Sequence, residues 1–161
     1  MQNEDNRIEY KRELNSKVKR EIVSFLNTNG GTIYLGVDDE TRQPLTISES
    51  KRHEWEEKLS QWYTTAFYPT PFSLIEINPN DDIFNIKVKP GRHKPYAING
   101  EGFTPQGVYV RNGSSAVKAS NELIKRMIQQ NQGNDEFDSE QSTNQILTFV
   151  ELEKTALGKK D

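Results

Sequence analysis

Polar and apolar residues alternate along "RIEYKREL". Ile8 and Tyr10 fall on one side of an extended chain and Glu9 and Lys11 on the other, which predicts a short strand. The period then changes. Val18, Ile22, Phe25 and Leu26 recur at i, i+4, i+7 and i+8, the stripe of an amphipathic helix that Ser16 can cap and Asn29-Gly30-Gly31 can end. "TIYLGV" returns to alternation, with Ile33, Leu35 and Val37 on one face and Tyr34 and Gly36 on the other. A loop, "DDETRQPLTISES", leads to a second helical stripe made of Trp55, Leu59, Trp62, Tyr63, Ala66 and Phe67, with Pro69 beyond its end. "FSLIEI" and "IFNIKVK" flank "NPNDD" as the two arms of an antiparallel hairpin. "KPYAI" and "GVYVRNGSS" read as further short strands. A last helix starts near Ser120 and buries Leu123, Ile124, Met127 and Ile128.

These elements predict an α+β domain over residues 1–130, a mixed or antiparallel sheet with about three packed helices. Residues 131–145, "NQGNDEFDSEQSTNQ", are polar and acidic without periodicity and read as a linker. Residues 146–161 contain a Thr148/Glu151 capping-box spacing and a small apolar stripe. They read as a docking helix or as the start of a further C-terminal region.

Composition narrows the function classes. With 32% hydrophobic and 28% charged residues and no apolar run of membrane-spanning length, the chain is expected to be soluble. Its N-terminus has no apolar signal region, and the absence of cysteine agrees with the cytoplasm. Two histidines, His53 and His93, and no thiolate leave carboxylates and a hard cation as the chemistry for any metal site. The net charge of −3 hides an asymmetry: residues 131–161 carry a net −4, and residues 1–130 a net +1. Local basic clusters on a near-neutral body keep a polyanionic partner open.

Three such clusters stand out: Lys11, Arg12, Lys17, Lys19 and Arg20; then Lys87, Lys89, Arg92, His93 and Lys94; then Arg111 with Lys118. With Tyr96 and Tyr109 nearby they suit phosphate backbones and unstacked bases. Lys11, Lys19, Arg92, Lys94, Arg111 and Lys118 are the candidate phosphate contacts. Glu9 and Lys11 share a strand face, and Asp38 and Asp39 follow the next strand. Asp39 is expected to turn the other way, and Glu4, five residues before Glu9, can add a third carboxylate. Glu9, Asp38 and Lys11 thus have the make-up of a metal-dependent phosphodiester site, with the carboxylates as ligands and Lys11 as electrostatic partner. Gly30-Gly31 has neither dinucleotide nor P-loop spacing, and a helix stop with a tight turn accounts for it. Asn27 and Asn29 beside it carry amides able to meet a ligand.

"IEYKREL", "EIVSFLNTNGGTIYLGVDD", "KPYAINGEGFTPQGVYVRNGSSAVKAS" and "ELIKRMI" together resemble the Schlafen/AlbA-type domain found at the N-terminus of many bacterial transcriptional regulators. The resemblance spans residues 4–130 and implies an α+β domain that binds DNA or RNA. It also implies a longer protein whose regulatory half begins near "QILTFVELEKTAL". Eukaryotic Schlafen nucleases, which cut tRNA or rRNA with three carboxylates, show a motif that Glu4, Glu9-Tyr10-Lys11 and Asp38/Asp39 match. That match implies Mg²⁺ or Mn²⁺ and a ribonuclease as the alternative activity. Those nucleases clamp tRNA with a duplicated domain, so a homodimer is a candidate partner state here. An interaction or oligomerisation module using the sheet edge or the acidic tail is the third reading.

Overall fold

The alternating segment near the start of the chain is β1 (Ile8–Lys11). The computed structural model describes the backbone of residues 7–142 and the side chains of residues 7–132. After β1, the chain forms α1 (Lys17–Leu26) and returns as β2 (Gly31–Leu35), parallel to β1, with Glu9 opposite Ile33 and Lys11 opposite Leu35. A parallel neighbour needs a crossover, and α1 supplies it. The cap differs from expectation. Ser16 has helical backbone angles and its hydroxyl makes no capping bond, whereas Asn15 Oδ1 accepts the Lys17 N–H at 2.9 Å. Val18, Ile22, Val23, Phe25 and Leu26 are buried as α1 packs on the sheet.

The double glycine closes α1. Gly30 has a φ of 78° and donates its N–H to the Phe25 carbonyl at 3.0 Å. A Cβ on Gly31 would lie 2.4 Å from the Phe25 ring and 2.6 Å from the Arg7 carbonyl. Asn27 is buried rather than offered to a ligand. Its amide nitrogen donates to the carbonyls of Tyr96 and Tyr109, at 3.0 and 2.9 Å, and its oxygen accepts the Tyr96 N–H at 2.7 Å.

The expected hairpin is β4 (Ile75–Asn78) and β5 (Asn85–Val88), and β5 also pairs antiparallel with β2. The resulting four-stranded sheet has the order β1-β2-β5-β4. Ile33, Leu35, Ile86 and Val88 face the helices, and the alternate positions Thr32, Tyr34, Asn85 and Lys87 face away. Between β2 and β4 lies α2 (Glu49–Thr65), capped by Ser48, which buries Trp55, Leu59 and Trp62 and sets Trp55 edge-on to Phe84. Its predicted stripe ran on through Ala66 and Phe67. Instead the helix stops at Thr65, and Phe67 opens β3 (Phe67–Tyr68), because pairing with β6 (Ala97–Ile98) supplies its backbone bonds. "GVYVRNGSS" is more than one strand: it holds β7 (Tyr109–Asn112) and the start of β8 (Ser115–Lys118), turning at Gly113, whose φ is 64°.

Ser120 accepts the Leu123 N–H at 3.1 Å at the start of α3 (Asn121–Ser142). Ile124 and Met127 are buried, and Leu123 and Ile128 are half-buried. α3 continues through much of the stretch expected to be a linker, since backbone bonding can carry a helix on without an apolar stripe. The chain divides into two compact units, residues 1–124 and 125–161. The expected C-terminal helix around Thr148 lies outside the described residues. Among those residues, three helices and a mixed sheet make the α+β class expected from the pattern. No described helix is long and apolar enough to cross a membrane.

Candidate nucleic-acid interface

Glu9 and Lys11 do share a face of β1, and it is the face turned toward the helices. β1 is an edge strand, and inward-pointing charge is one way an edge avoids pairing with another chain. Two partners meet these residues there. Glu21 sits inside the apolar stripe of α1, and Arg111 comes from β7, which packs on α1. Arg111 lies 3.1 Å from Glu9 Oε1 and 2.6 Å from Glu21 Oε1, and Lys11 Nζ lies 3.5 and 3.6 Å from their other oxygens. The Arg111 guanidinium also lies over the Phe25 ring, 4.3 Å from its centre. Its side chain is only 2% exposed and Glu9's 7%, whereas Lys11 is 25% exposed at the rim. Among the described residues, two anions and two cations meet there, so their charges offset one another where Glu9 and Arg111 are buried.

Asp38 belongs to a separate arrangement. One carboxylate oxygen accepts the N–H groups of Glu40 and Thr41, at 2.9 and 3.0 Å, and the other meets Arg12 at 2.7 Å. The Thr41 and Glu40 donors, in that order, and then Arg12 lower its pKa to about 2. Its role in this geometry is to close the turn after β2. Asp39 is exposed, and Glu4 lies outside the described residues.

At the carboxylates named above, a divalent ion would have to compete with contacts that the described side chains already make. Glu9 already faces Arg111 and Lys11, and Asp38 is met by two N–H donors and Arg12. Among the described residues, no three His, Asp or Glu groups are placed to hold a metal.

The basic candidates divide by exposure. Arg92 and Lys118 are exposed. Lys94 is half-buried and donates to the Thr28 carbonyl at 3.1 Å, which fixes it at the C-terminal end of α1. Lys19, also half-buried, places its ammonium 5.0 Å from the centre of the Trp62 ring. Arg111 is a correction: with its charge buried against Glu9 and Glu21, it is not a surface phosphate contact. Tyr96 and Tyr109 are corrections too, since at 2% and 4% exposure they are core residues and present no stacking platform. Arg20 joins the exposed set, with its guanidinium 5.7 Å from the Tyr109 ring centre; Lys118 lies opposite Tyr109 in the β7–β8 ladder. Lys19 and Arg20 on α1, the loop at its end and the hairpin packed on it thus bring cations from distant parts of the chain around one helix.

Periodicity alone does not single out Glu21 as a partner of this site. The signal was there, however: an acid three residues after Val18 and four before Phe25 occupies the buried stripe and needs a buried cation.

The family model described as "Schlafen, AlbA_2" matches residues 4–120. Among solved structures, the chain is similar to the N-terminal domain of a protein from Nitrosomonas europaea related to the ATP-dependent DNA helicase RecG. The two share 22% identity over 71% of this chain and 83% of that one, with a TM-score of 0.46. The comparison with curated proteins found no match.

Proposed function

The chain belongs to the Schlafen AlbA_2 family, and from that premise we propose that it binds nucleic acid as the recognition domain of a bacterial transcriptional regulator. The observation that carries this reading is the gathering of Lys19, Arg20, Arg92, Lys94 and Lys118 around α1, with Lys11 at the rim of the buried cluster. Such side chains recognise phosphates, and binding releases counterions from the polyanion. For about four phosphate contacts, the slope of log affinity against log salt is expected near −3.6 on duplex DNA and near −2.8 on a single strand. Arg92→Glu with Lys118→Glu removes two exposed cations without disturbing the Lys94–Thr28 contact. Fluorescence anisotropy should show binding weakened for every sequence and a slope shallower by about 2. Affinity independent of salt, or no binding to DNA and RNA alike, refutes the proposal.

A divalent-metal-dependent ribonuclease is the second reading, favoured by Glu9 and Lys11 meeting on one face with Lys11 open to solvent. It would need its third carboxylate from Glu4. Manganese-dependent cleavage of tRNA that disappears in Glu9→Gln would support it, and intact tRNA with and without manganese would remove it.

A further inference from the structure

The sheet face turned away from the helices carries its own set of chemical groups. Tyr34 lies across from Asn85 and then Asn78, and Lys87 lies between Thr32 and Glu76. Tyr10 stacks on Tyr34, with ring centres 5.6 Å apart and planes 26° from parallel. The Arg42 guanidinium, 5.8 Å from the Tyr10 ring centre, helps bury Tyr10 to 2% exposure, whereas Tyr34 stays half-buried. On this face lies an open cleft of about 510 Å³, lined by Tyr34, Asn85 and Lys87 and by the turn that carries Asp81 and Asp82.

That turn is held in place. Arg52 reaches from α2 to donate to the carbonyls of Pro79, Asp81 and Asp82, at 2.8, 2.7 and 2.8 Å. Asn85, buried at the cleft floor, donates to Asp81 Oδ2 and to the Ile83 carbonyl, both at 3.0 Å, and accepts from Asn78 at 2.9 Å. The exposed Asp82 carboxylate makes no hydrogen bond or ion pair among the described residues. The cleft therefore joins an aromatic ring, a carboxylate on a fixed turn and an exposed lysine.

The geometry points to a guanine-nucleotide site on this face. A planar base would stack on Tyr34 as single-stranded nucleic acids stack on aromatic side chains. Guanine presents two adjacent N–H donors, N1–H and N2–H, which match the two oxygens of Asp82. Adenine and uracil do not offer that pair. A phosphate has one cation in the cleft, Lys87, and Asp81 and Asp82 repel it elsewhere, so the charges also fix orientation. The nucleotide can be free or an unpaired guanine within a strand. The site stands on side chains separate from the cations gathered around α1.

Titration of the full chain with guanosine monophosphate, followed by backbone amide shifts, tests this. Shifts are expected at Tyr34 and residues 82–87. Binding should be about tenfold weaker for inosine monophosphate, which lacks the N2 amino group, and weaker still for adenosine monophosphate. Tyr34→Leu should weaken guanosine monophosphate binding about 5- to 150-fold. Asp82→Asn, at an exposed turn, should erase the preference over inosine and carries the test if Tyr34→Leu fails to fold. An oligouridine with one guanine bound at least tenfold more tightly than the mononucleotide identifies a strand as the source; equal affinity identifies the free nucleotide. No shift at these residues with either probe at millimolar concentration, or equal affinity for guanosine and adenosine monophosphates, overturns the site. Arg92→Glu with Lys118→Glu should leave the mononucleotide titration unchanged, so the phosphate-binding reading can fail without this one.

Discussion

Replacing Arg111 with methionine keeps much of the side-chain volume and removes the charge that Glu9 and Glu21 face. At an effective dielectric constant of about 20, charges 2.6 and 3.1 Å apart attract by roughly 5–6 kcal/mol before desolvation is counted. Burying the guanidinium offsets most of that gain, so the net worth of the cluster is small. The loss on breaking it is not small, because two largely buried carboxylates lose the guanidinium that meets them both. Removing one partner of a buried pair costs about 3–5 kcal/mol. For a domain of this size that is a fall in melting temperature of roughly 10–20 °C. Urea denaturation followed by far-ultraviolet circular dichroism measures it, provided the m-value is unchanged. Arg111→Lys should fall between wild type and Arg111→Met, since it keeps the charge and loses the fork that reaches both acids. Adding Glu9→Gln to Arg111→Met should reveal a coupling of about 1–3 kcal/mol. If Arg111→Met lies within about 1 kcal/mol of wild type, the cluster behaves as a surface pair and the reasoning fails.

The depressed Asp38 pKa gives a pH signature. A folded pKa of about 2, against an ordinary 3.8, means the group stabilises the fold above its unfolded pKa and loses that contribution as pH falls toward 2. The stability gap between wild type and Asp38→Asn should therefore shrink as pH falls from 4 to 2, and a gap constant across that range contradicts the assignment. Gly31→Ala places a methyl group against the Phe25 ring and the Arg7 carbonyl at distances no packed Cβ tolerates. The strain should cost about 1–3 kcal/mol in denaturant unfolding, and a neutral result would mean that β1 and α1 can separate cheaply.

How much of this was legible in the sequence depends on how local each cause is. The strand alternation around Tyr10, the α1 stripe and the β4–β5 hairpin follow from neighbours within a few residues. The end of α2 does not: Phe67 fits the helical period, and only β6, some 30 residues later, gives it a strand partner. Arg111 shows the same limit at the site. In "YVRNGSS" it reads as a surface cation, and nothing nearby in sequence reveals that Glu21, 90 residues earlier, and Glu9, 102 residues earlier, wait for it. The pairing of Glu9 with Lys11 was visible because it needs only a pleat. The cleft beside Tyr34 was not, because it needs β2, β5 and a turn held from α2.

The buried amide of Asn27 has a consequence for a chain made from its N-terminus onward. Its partners at Tyr96 and Tyr109 lie 69 and 82 residues downstream. At about 5–20 residues per second, some 4–16 s of synthesis separate Asn27 from the arrival of Tyr109. During that interval Asn27 lacks the carbonyls that take up its amide in the finished fold, so the polar closure of the α1 end must follow the synthesis of β7.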